Sequence, residues 1–384
     1  MTKKVCVVVG TRPEAIKMAP VYRQLLVTDG LEPILLSTGQ HREMLAQTLD
    51  AFGLKPDVDL GLMLPSQTLP DLTARAISAL STYFQATKPD AVLVQGDTTS
   101  VLASSIAAFY ENIPIGHVEA GLRTGNMRSP WPEEMNRRLT SPLCTWNFAP
   151  TERSRCNLLA EGIPAVKCFV TGNTVIDALF WMKSILEEKN VSSDEIALRL
   201  NISNEFRDRY LSKECERFVL VTGHRRESYG QGFEDLCSAL LRIVAEHKDL
   251  GILFPVHLNP AVRDIVKRRL GNAPQIELIE PVGYENFVWL MSRCHFIISD
   301  SGGVQEEAPS FGKPVLVTRE TTERPEGVDA GTCELVGTDV DQIVRRVDHL
   351  MHDSCEYQRR SMLRNPYGDG NASQRICAIL KLSF

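Results

Sequence analysis

Short apolar runs rich in β-branched residues alternate along the chain with longer segments in which apolar residues recur at helical spacing. In the first half, this pattern predicts strands over 5–9, 32–37, 91–95, 113–118, 146–149 and 166–171. It predicts helices over 13–28, 43–52, 69–86, 100–111, 133–141 and 152–161. Because the strands are apolar on both faces, we expect a parallel sheet covered by helices on both sides.

A second series of the same kind begins after a charged stretch, 183–216, that contains no strand pattern. Its predicted strands are 218–222, 251–255, 276–279, 296–299, 314–318 and 334–336. The sequence therefore predicts an α/β fold of two Rossmann-like parallel-sheet domains that face a central cleft, 1–182 and 183–366. The end of the chain, 367–384, contains an amphipathic helix pattern over 371–382, which we expect to pack back on the first domain.

Composition narrows the class of protein. The chain has 384 residues, 43% hydrophobic and 23% charged, and a net charge of −6, which argues against a nucleic-acid or membrane-surface partner. Ten cysteines without a CxxC pair and eight dispersed histidines predict neither a disulfide framework nor a metal site. The first apolar run is too short for a signal peptide, and no run reaches membrane-spanning length, so we expect a soluble cytoplasmic protein.

A glycine-containing turn, 300–307, follows the predicted strand 296–299 and reads Asp-Ser-Gly-Gly-Val-Gln-Glu-Glu. A strand that turns through Ser-Gly-Gly into a helix presents backbone N–H groups that can bind a phosphate. Glu307 lies about one helical turn later, where a carboxylate can accept hydrogen bonds from ribose hydroxyls. The alternative is an ordinary capped strand-to-helix turn.

Three basic side chains lie at or just beyond predicted strand ends. Arg12 and Lys17 follow the strand 5–9, and His224 follows the strand 218–222. Ligands bind at the carboxyl ends of strands in open α/β sheets, so these residues are candidates for contact with a phosphate or a leaving group. Salt bridges at the surface, and a structural role for the histidine, are the alternatives.

Three acidic side chains occupy similar positions. Asp97 follows the strand 91–95, Glu119 follows 113–118, and Glu133 begins the helix 133–141. Asp97 as a helix N-cap and Glu133 as a favourable charge at a helix start are the structural alternatives. Carboxylates gathered at one cleft raise one another's pKa values, which suits proton transfer near neutral pH.

Taken together in order, these motifs closely resemble the non-hydrolysing UDP-N-acetylglucosamine 2-epimerases of bacteria. The motifs that carry the resemblance, over almost the whole chain, are Gly-Thr-Arg-Pro-Glu-Ala-Ile-Lys at 10–17, Gly-Gln-His-Arg-Glu-Met at 39–44, Gln-Gly-Asp-Thr-Thr at 95–99, His-Val-Glu-Ala-Gly-Leu-Arg-Thr-Gly at 117–125, Ser-Pro-Trp-Pro-Glu-Glu at 129–134, Gly-His-Arg-Arg-Glu at 223–227, Asp-Ser-Gly-Gly at 300–303 and Thr-Thr-Glu-Arg-Pro-Glu at 321–326.

The resemblance implies a fold of the glycosyltransferase type B and a reversible reaction that supplies UDP-N-acetylmannosamine for cell-surface polysaccharide. In that reaction the C2 proton of UDP-N-acetylglucosamine is removed and UDP is expelled, which leaves a 2-acetamidoglucal. UDP then adds back, and protonation from the other face gives the epimer. The resemblance implies no metal and no other cofactor, and it implies a homodimer.

The resemblance also assigns residues. It implies catalytic roles for Asp97, Glu119, Glu133 and His224. It implies substrate binding by Arg12, Lys17, Arg137, Phe287, Ser301, Gly302, Gly303, Glu307 and Arg324, with Phe287 near uracil. A second molecule of UDP-N-acetylglucosamine, acting as an activator, would bind an allosteric site that contains Gln40, His41, Glu43, Arg75 and His257.

Other functions remain open at this point. They are a hydrolysing 2-epimerase that releases free sugar, an epimerase of a modified UDP-2-acetamido sugar, a glycosyltransferase of the same fold, and a nucleotide-sugar sensor without turnover.

Overall fold

The computed structural model describes residues 2–39, 42–64, 67–212, 216–224 and 229–384, with the side chains of residues 42 and 43 excepted. The chain divides into two compact units. Unit 1 comprises Met1–Trp181 and Tyr367–Phe384, and unit 2 comprises Met182–Pro366.

Unit 1 contains a seven-stranded parallel sheet in the order β3-β2-β1-β4-β5-β6-β7. Its strands are β1 (Lys3–Val9), β2 (Leu31–Ser37), β3 (Val58–Asp59), β4 (Ala91–Gln95), β5 (Ile115–Val118), β6 (Trp146–Ala149) and β7 (Cys168–Val170). Its helices are α1 (Arg12–Leu26), α2 (Arg42–Ala51), α3 (Leu69–Thr87), α4 (Thr99–Tyr110), α5 (Glu133–Leu143), α6 (Glu152–Ala160) and α7 (Thr174–Glu188), which continues into unit 2.

Helices cover both faces of this sheet, which explains why its strands are continuously apolar. In β1, Val5, Val7 and Val9 belong to one buried cluster, whereas Cys6 and Val8 belong to another. Successive side chains of a strand point to opposite faces, so both faces of β1 are buried.

Unit 2 contains a six-stranded parallel sheet in the order β10-β9-β8-β11-β12-β13. Its strands are β8 (Arg217–Thr222), β9 (Leu250–Pro255), β10 (Ile276–Ile279), β11 (Ile297–Ser299), β12 (Val315–Val317) and β13 (Cys333–Leu335). Its further helices are α8 (Ser193–Leu200), α9 (Asn204–Phe206), α10 (Gln231–Glu246), α11 (Pro260–Leu270), α12 (Tyr284–Arg293), α13 (Gly302–Glu307), α14 (Pro325–Asp329), α15 (Val340–His352) and α16 (Ser354–Ser361).

The last helix, α17 (Ala372–Ser383), belongs to unit 1. Buried Asp177 of α7 accepts hydrogen bonds from the first N–H groups of α17, those of Ala372 at 3.2 Å and Ser373 at 2.8 Å. Ile376 and Leu380 are fully buried in the same cluster as β1. The end of the chain is therefore part of the core of unit 1.

The prediction of two parallel-sheet α/β domains is confirmed, and its errors are local. The strand β3 was not predicted, because a strand of two residues is too short to give a periodic pattern of apolar residues. Residues 166–171 form a strand only over β7, since Ala165–Lys167 form a 3-10 turn. The predicted strand 113–118 begins at β5, after Pro114, which has no N–H to donate.

Within the described residues, none of the helices is both long enough and apolar enough to cross a lipid bilayer.

Candidate active site

Unit 1 places several of the predicted residues along one edge of its sheet. The parallel strands β1, β4 and β5 are neighbours, so the segments that follow them leave from the same edge. Lys17 lies in α1 after β1, Asp97 lies just after β4, and Glu119 directly follows β5. Arg12, the first residue of α1, is exposed at the same edge.

Glu119 is buried, and its carboxylate accepts hydrogen bonds from three side chains. Lys17 Nζ and Asn173 Nδ2 both donate to Oε1, the latter at 3.1 Å, and Gln95 Nε2 donates to Oε2. Lys17 is itself only 9% exposed, so the alternative of a surface salt bridge is wrong for this residue. A buried carboxylate requires such a cation and such donors.

The backbone of Glu119 adopts an uncommon conformation. Its φ is 65°, in the left-handed region that residues other than glycine seldom occupy. Conformations of this kind persist where the surrounding structure imposes them, and they cluster at functional sites. The conformation therefore supports a functional role for Glu119.

Arg137 of α5 joins Asp97 to Glu134. Its Nε donates to Asp97 Oδ2 at 2.9 Å, and its Nη1 donates to Glu134 Oε2 at 3.0 Å. Burial disfavours the guanidinium charge, but these carboxylates outweigh that effect and raise the pKa of Arg137. The N-cap interpretation of Asp97 is wrong, because Thr98 caps α4 by accepting from the N–H of Val101 at 3.3 Å.

The adjacent residues Glu133 and Glu134 differ in their partners. Glu134 is fully buried, and besides Arg137 it accepts hydrogen bonds from the backbone N–H groups of Thr124 at 3.1 Å and Gly125 at 3.3 Å. Glu133 Oε2 is also buried, but it has no hydrogen-bond partner among the described residues. Buried acceptors are normally satisfied. Glu133 is therefore the member of the pair that can accept a hydrogen bond or a proton from a ligand.

Three residues that support this edge were not predicted from the sequence. Gln95 is the last residue of the predicted strand 91–95, and Asn173 follows the predicted strand 166–171 by two residues, positions that could have identified them. Buried His117 lies with Nε2 2.7 Å from the carbonyl oxygen of Gly96, next to Asp97. Burial lowers the pKa of His117 to about 4, so its ring is neutral and donates the Nε2 hydrogen to that carbonyl.

Glu14 of α1 is a fourth residue that the sequence reasoning missed. Its buried carboxyl accepts hydrogen bonds from Gly10 N at 2.5 Å, Thr11 N at 3.1 Å and Thr98 Oγ1 at 2.6 Å. Burial is the largest effect on this group and raises the pKa of Glu14 to about 7. The Thr-x-x-Glu spacing of Thr11 and Glu14 is that of a helix capping box, which was the available signal.

We expect the substitution Glu14→Gln to remove a pH dependence of stability. The pKa of Glu14 is about 7 in the folded chain against 4.5 for an ordinary glutamate side chain, so between these values only the folded state holds the proton. The free energy of unfolding therefore falls as pH rises through this window, by up to about 3 kcal/mol. Glutamine has the shape of the protonated acid and does not ionise, so the variant should lack this fall.

Urea unfolding at intervals between pH 4.5 and 8 measures this effect. The matched control is Glu152→Gln, since the Glu152 side chain is 73% exposed. A Glu14→Gln chain with the same slope as the parent chain would contradict the assignment.

Unit 2 brings His224 to Asp300 at the ends of the adjacent parallel strands β8 and β11. The backbone N–H of His224 donates to Asp300 Oδ2 at 2.8 Å, and the ring Nδ1 lies 3.0 Å from Asp300 Oδ1. The Asp300 side chain is 1% exposed, whereas the imidazole is 45% exposed. This contact turns Nδ1 of the imidazole toward the carboxylate and leaves Nε2 as the ring nitrogen for a ligand.

Arg324 lies against the start of α13. A Cβ atom placed on Gly302 would be 2.4 Å from Arg324 Cζ, so glycine is the residue that permits this approach. Arg324 Nε donates to Glu306 Oε1 at 2.8 Å, which fixes the guanidinium in place. Ser301 is the N-cap, and Gly302 and Gly303 form the first turn, where N–H groups have no partner within the helix. The predicted anion-binding residues are thus brought together.

Glu307, at the end of α13, accepts a hydrogen bond from Tyr284 Oη at 2.7 Å. Burial, together with the charge of Glu307, raises the pKa of Tyr284 well above its usual range, so the phenol remains protonated and donates. Phe287 is half-buried on the first turn of α12, the helix that Tyr284 begins. The structure therefore brings these two predicted ligand residues to one pair of helices in unit 2, with Tyr284 as a partner that the sequence did not indicate.

The predicted allosteric residues are only partly described. Gln40, His41 and the side chain of Glu43 lie outside the described residues, as do Arg225, Arg226 and Glu227 of the motif after β8.

Arg75 belongs to α3 of unit 1, where its Nη2 donates to the Leu62 carbonyl at 3.3 Å and to the side chain of Gln67. His257 belongs to unit 2, where its ring centroid lies 6.2 Å from that of His224. A residue predicted for the allosteric site is thus a neighbour of one predicted for catalysis.

Comparison with known proteins gives a consistent result. Residues 23–381 match the family model of UDP-N-acetylglucosamine 2-epimerase. The chain is 52% identical over 378 residues to the UDP-N-acetylglucosamine 2-epimerase of Escherichia coli K12, covering 98% of each chain. It is 51% identical over 384 residues to the probable UDP-N-acetylglucosamine 2-epimerase of Ralstonia solanacearum, covering 100% of each.

A solved structure agrees with these relatives. The UDP-GlcNAc 2-epimerase from Neisseria meningitidis, solved bound to UDP-GlcNAc, matches with a TM-score of 0.89 and 46% identity, over 99% of this chain and 100% of that one. The predicted fold of the glycosyltransferase type B is thereby confirmed.

Proposed function

Because the chain belongs to the UDP-N-acetylglucosamine 2-epimerase family, we propose that it interconverts UDP-N-acetylglucosamine and UDP-N-acetylmannosamine without net hydrolysis. The observation that carries this proposal is the full-length match to the meningococcal enzyme solved with UDP-GlcNAc bound. The family resemblance supports a role in supplying precursors of cell-surface polysaccharide, and it supports a homodimer.

The proposed reaction proceeds by elimination and re-addition. A carboxylate takes the C2 proton of the sugar, the electrons of that bond form a C1–C2 double bond, and the bond from C1 to the phosphate oxygen breaks. UDP leaves with the electron pair, and a 2-acetamidoglucal remains. Re-addition of UDP at C1 and protonation at C2 from the opposite face give the epimer.

Unit 1 supplies the groups for proton transfer in this proposal. Glu119, Asp97 and Glu133 are the acid and base candidates, and two of them are needed because the two faces of the intermediate differ. The ion pair with Lys17 and the amide donors of Gln95 and Asn173 hold Glu119 in one position. Positioned groups of this kind contribute about 10²–10⁴-fold to rates.

Two arginines of unit 1 have different roles in this proposal. Arg12 is exposed and supplies a charge for the phosphate. Arg137 was expected to bind substrate, but its guanidinium is engaged by Asp97 and Glu134. We therefore infer that Arg137 acts by positioning Asp97.

Unit 2 holds UDP in this proposal. The hydroxyl of Ser301, the first N–H groups of α13 at Gly302 and Gly303, and the guanidinium of Arg324 bind the diphosphate, whereas the Ser301 N–H donates to Ser299 Oγ at 2.9 Å. Positive charge fixed near the leaving phosphate is often a large part of catalysis, because it needs no reorganisation during the reaction.

The remaining groups of unit 2 bind the rest of UDP and assist its departure. Glu307 accepts from the ribose hydroxyls, and Phe287 lies near uracil. His224, oriented by Asp300 through Nδ1, assists the departure of UDP through its other ring nitrogen.

The proposal also includes an allosteric site. Gln40, His41, Glu43, Arg75 and His257 would bind a second UDP-N-acetylglucosamine as an activator. Of these residues, His257 neighbours His224 at 6.2 Å between ring centroids, which links the two proposed sites within unit 2.

Incubation with UDP-N-acetylglucosamine in deuterated water, followed by proton NMR, tests the function. We expect UDP-N-acetylmannosamine to accumulate to an equilibrium, with deuterium at C2 of both nucleotide sugars. Free N-acetylmannosamine with UDP, and no nucleotide-linked epimer, would indicate a hydrolysing enzyme. Absence of deuterium at C2 would overturn the mechanism and would agree with a transferase or a sensor.

A further inference from the structure

Two histidines and an aspartate that are far apart in sequence meet between two helices of unit 2. His247 ends α10, whereas Asp348 and His352 lie one turn apart on α15. One nitrogen or oxygen atom from each residue lies within 4.8 Å of the corresponding atoms of the other two. The dispersed histidines of the sequence predicted no metal site, and their spacing could not have identified this cluster.

The decisive feature is a buried nitrogen without a partner. His247 is 5% exposed, and its Nε2 has no hydrogen-bond partner among the described residues. Its distance to Asp348 Oδ1 is 3.7 Å, which is too long for a hydrogen bond. Buried polar atoms are normally satisfied, so this nitrogen indicates a group that is bound between the two side chains.

The spacing of the three donor atoms suits a transition-metal ion. Asp348 Oδ1 lies 2.9 Å from His352 Nδ1 and 3.7 Å from His247 Nε2. Two ligand atoms on a tetrahedral zinc ion, each about 2.0–2.1 Å from the metal, are separated by about 3.3 Å, which lies between these two distances. Two imidazoles and a carboxylate are also ligands that zinc prefers.

The backbone around the cluster is held rigidly. The N–H of His247 donates to the Ile243 carbonyl at 2.8 Å, and its own carbonyl accepts from Gln275 Nε2 at 3.0 Å. The helices α10 and α15 share one buried cluster, which includes Val244 and Val347 close to the site. Ligands fixed in advance on rigid elements bind metals better than ligands on loops.

We propose that His247, Asp348 and His352 form a binding site for a divalent transition-metal ion, with Zn²⁺ as its first candidate. The site is separate from the residues assigned to UDP. His247 precedes β9, whereas His224 follows β8 and Asp300 follows β11. Because the strands are parallel, the metal cluster lies at their amino ends and the residues assigned to UDP lie at their carboxyl ends. A bound ion would link the ends of α10 and α15 and stabilise the folded chain.

Metal titration of the full, untagged chain tests this proposal. After treatment with a chelator and its removal, Zn²⁺ is titrated in competition with a chromogenic chelator. We expect one ion per chain at this site and a rise of the melting temperature when Zn²⁺ is added. His352→Ala and His247→Ala should each weaken binding by about 100-fold or more, since even loss of a residue that only supports a ligand costs 10- to 100-fold.

The matched control is His349→Ala, on the same helix. His349 lies 3.3 Å from Asp353 and is outside the cluster, so its loss should leave Zn²⁺ affinity unchanged. If His247→Ala fails to fold, His352→Ala and Asp348→Asn decide the question, because both side chains are more than half exposed.

Two outcomes would overturn the proposal. One is the absence of a saturable ion, which would indicate that water satisfies His247 Nε2. The other is equal loss of affinity in His349→Ala and His352→Ala. Cobalt(II) absorption gives a further check, because a strong thiolate charge-transfer band would indicate binding at the exposed cysteines Cys156 or Cys355 instead.

Discussion

We expect Glu119→Gln to lower the turnover of UDP-N-acetylglucosamine by about 100-fold or more, the loss typical of a missing acid or base group. Glutamine cannot take the C2 proton. The amide N–H groups of glutamine would also face other N–H donors instead of acceptors, because Lys17, Gln95 and Asn173 all donate hydrogen bonds to the carboxylate that the amide replaces. We expect UDP affinity to be retained, since all the groups proposed to hold UDP except Arg12 belong to unit 2.

Initial rates in both directions and calorimetric titration of UDP measure these two effects. Glu152→Gln makes the same chemical change on a side chain that is 73% exposed, and it should have the parent chain's rate and affinity. A Glu119→Gln chain with near-normal turnover would remove Glu119 from catalysis. A parallel loss of UDP affinity would indicate instead that the substitution disturbs the fold.

The second large effect concerns stability. We expect Arg137→Met to lower the free energy of unfolding by about 3–5 kcal/mol, the loss found when one partner of a buried ion pair is removed. Glu134 is 0% exposed and would lose its close cation, because Arg138 Nε lies 3.7 Å from it against 3.0 Å for Arg137 Nη1. Asp97 would lose its partner as well.

Arg138→Met is the matched control. The Arg138 side chain is 38% exposed, so we expect a loss of about 1 kcal/mol or less. Urea denaturation gives both values. The double substitution Arg137→Met with Glu134→Gln should recover part of the loss, because it removes the unpaired charge. Equal losses of unfolding free energy in Arg137→Met and Arg138→Met would contradict the assignment of Arg137 as the residue that holds Asp97 and Glu134.

The sequence predicted the sheets well because nearly every strand is buried on both faces. A strand such as β4, which reads Ala-Val-Leu-Val-Gln, gives an apolar run that stands out from its surroundings. The strand β3 gave no such run, since it is a two-residue strand, Val-Asp, at the edge of the sheet.

Strand ends also located many of the candidate residues, but they could not identify the partners of those residues. Arg137 meets Asp97, and Asn173 meets Glu119, across loops whose conformations depend on tertiary packing. The same is true of His247 and His352, since the packing of α10 on α15 brings them together. Residue types and strand positions indicated the chemistry, whereas the pairing of charges is determined by the tertiary structure.

The docking of α17 on unit 1 has a consequence for synthesis on the ribosome. Domains usually acquire their structure as they emerge, starting from the amino terminus. Here Ile376 and Leu380 complete an apolar layer that begins with β1, although all of unit 2 is translated between them. The nascent amino-terminal half therefore leaves the exit tunnel with part of its hydrophobic interior uncovered. It becomes self-contained only when α17 has been released.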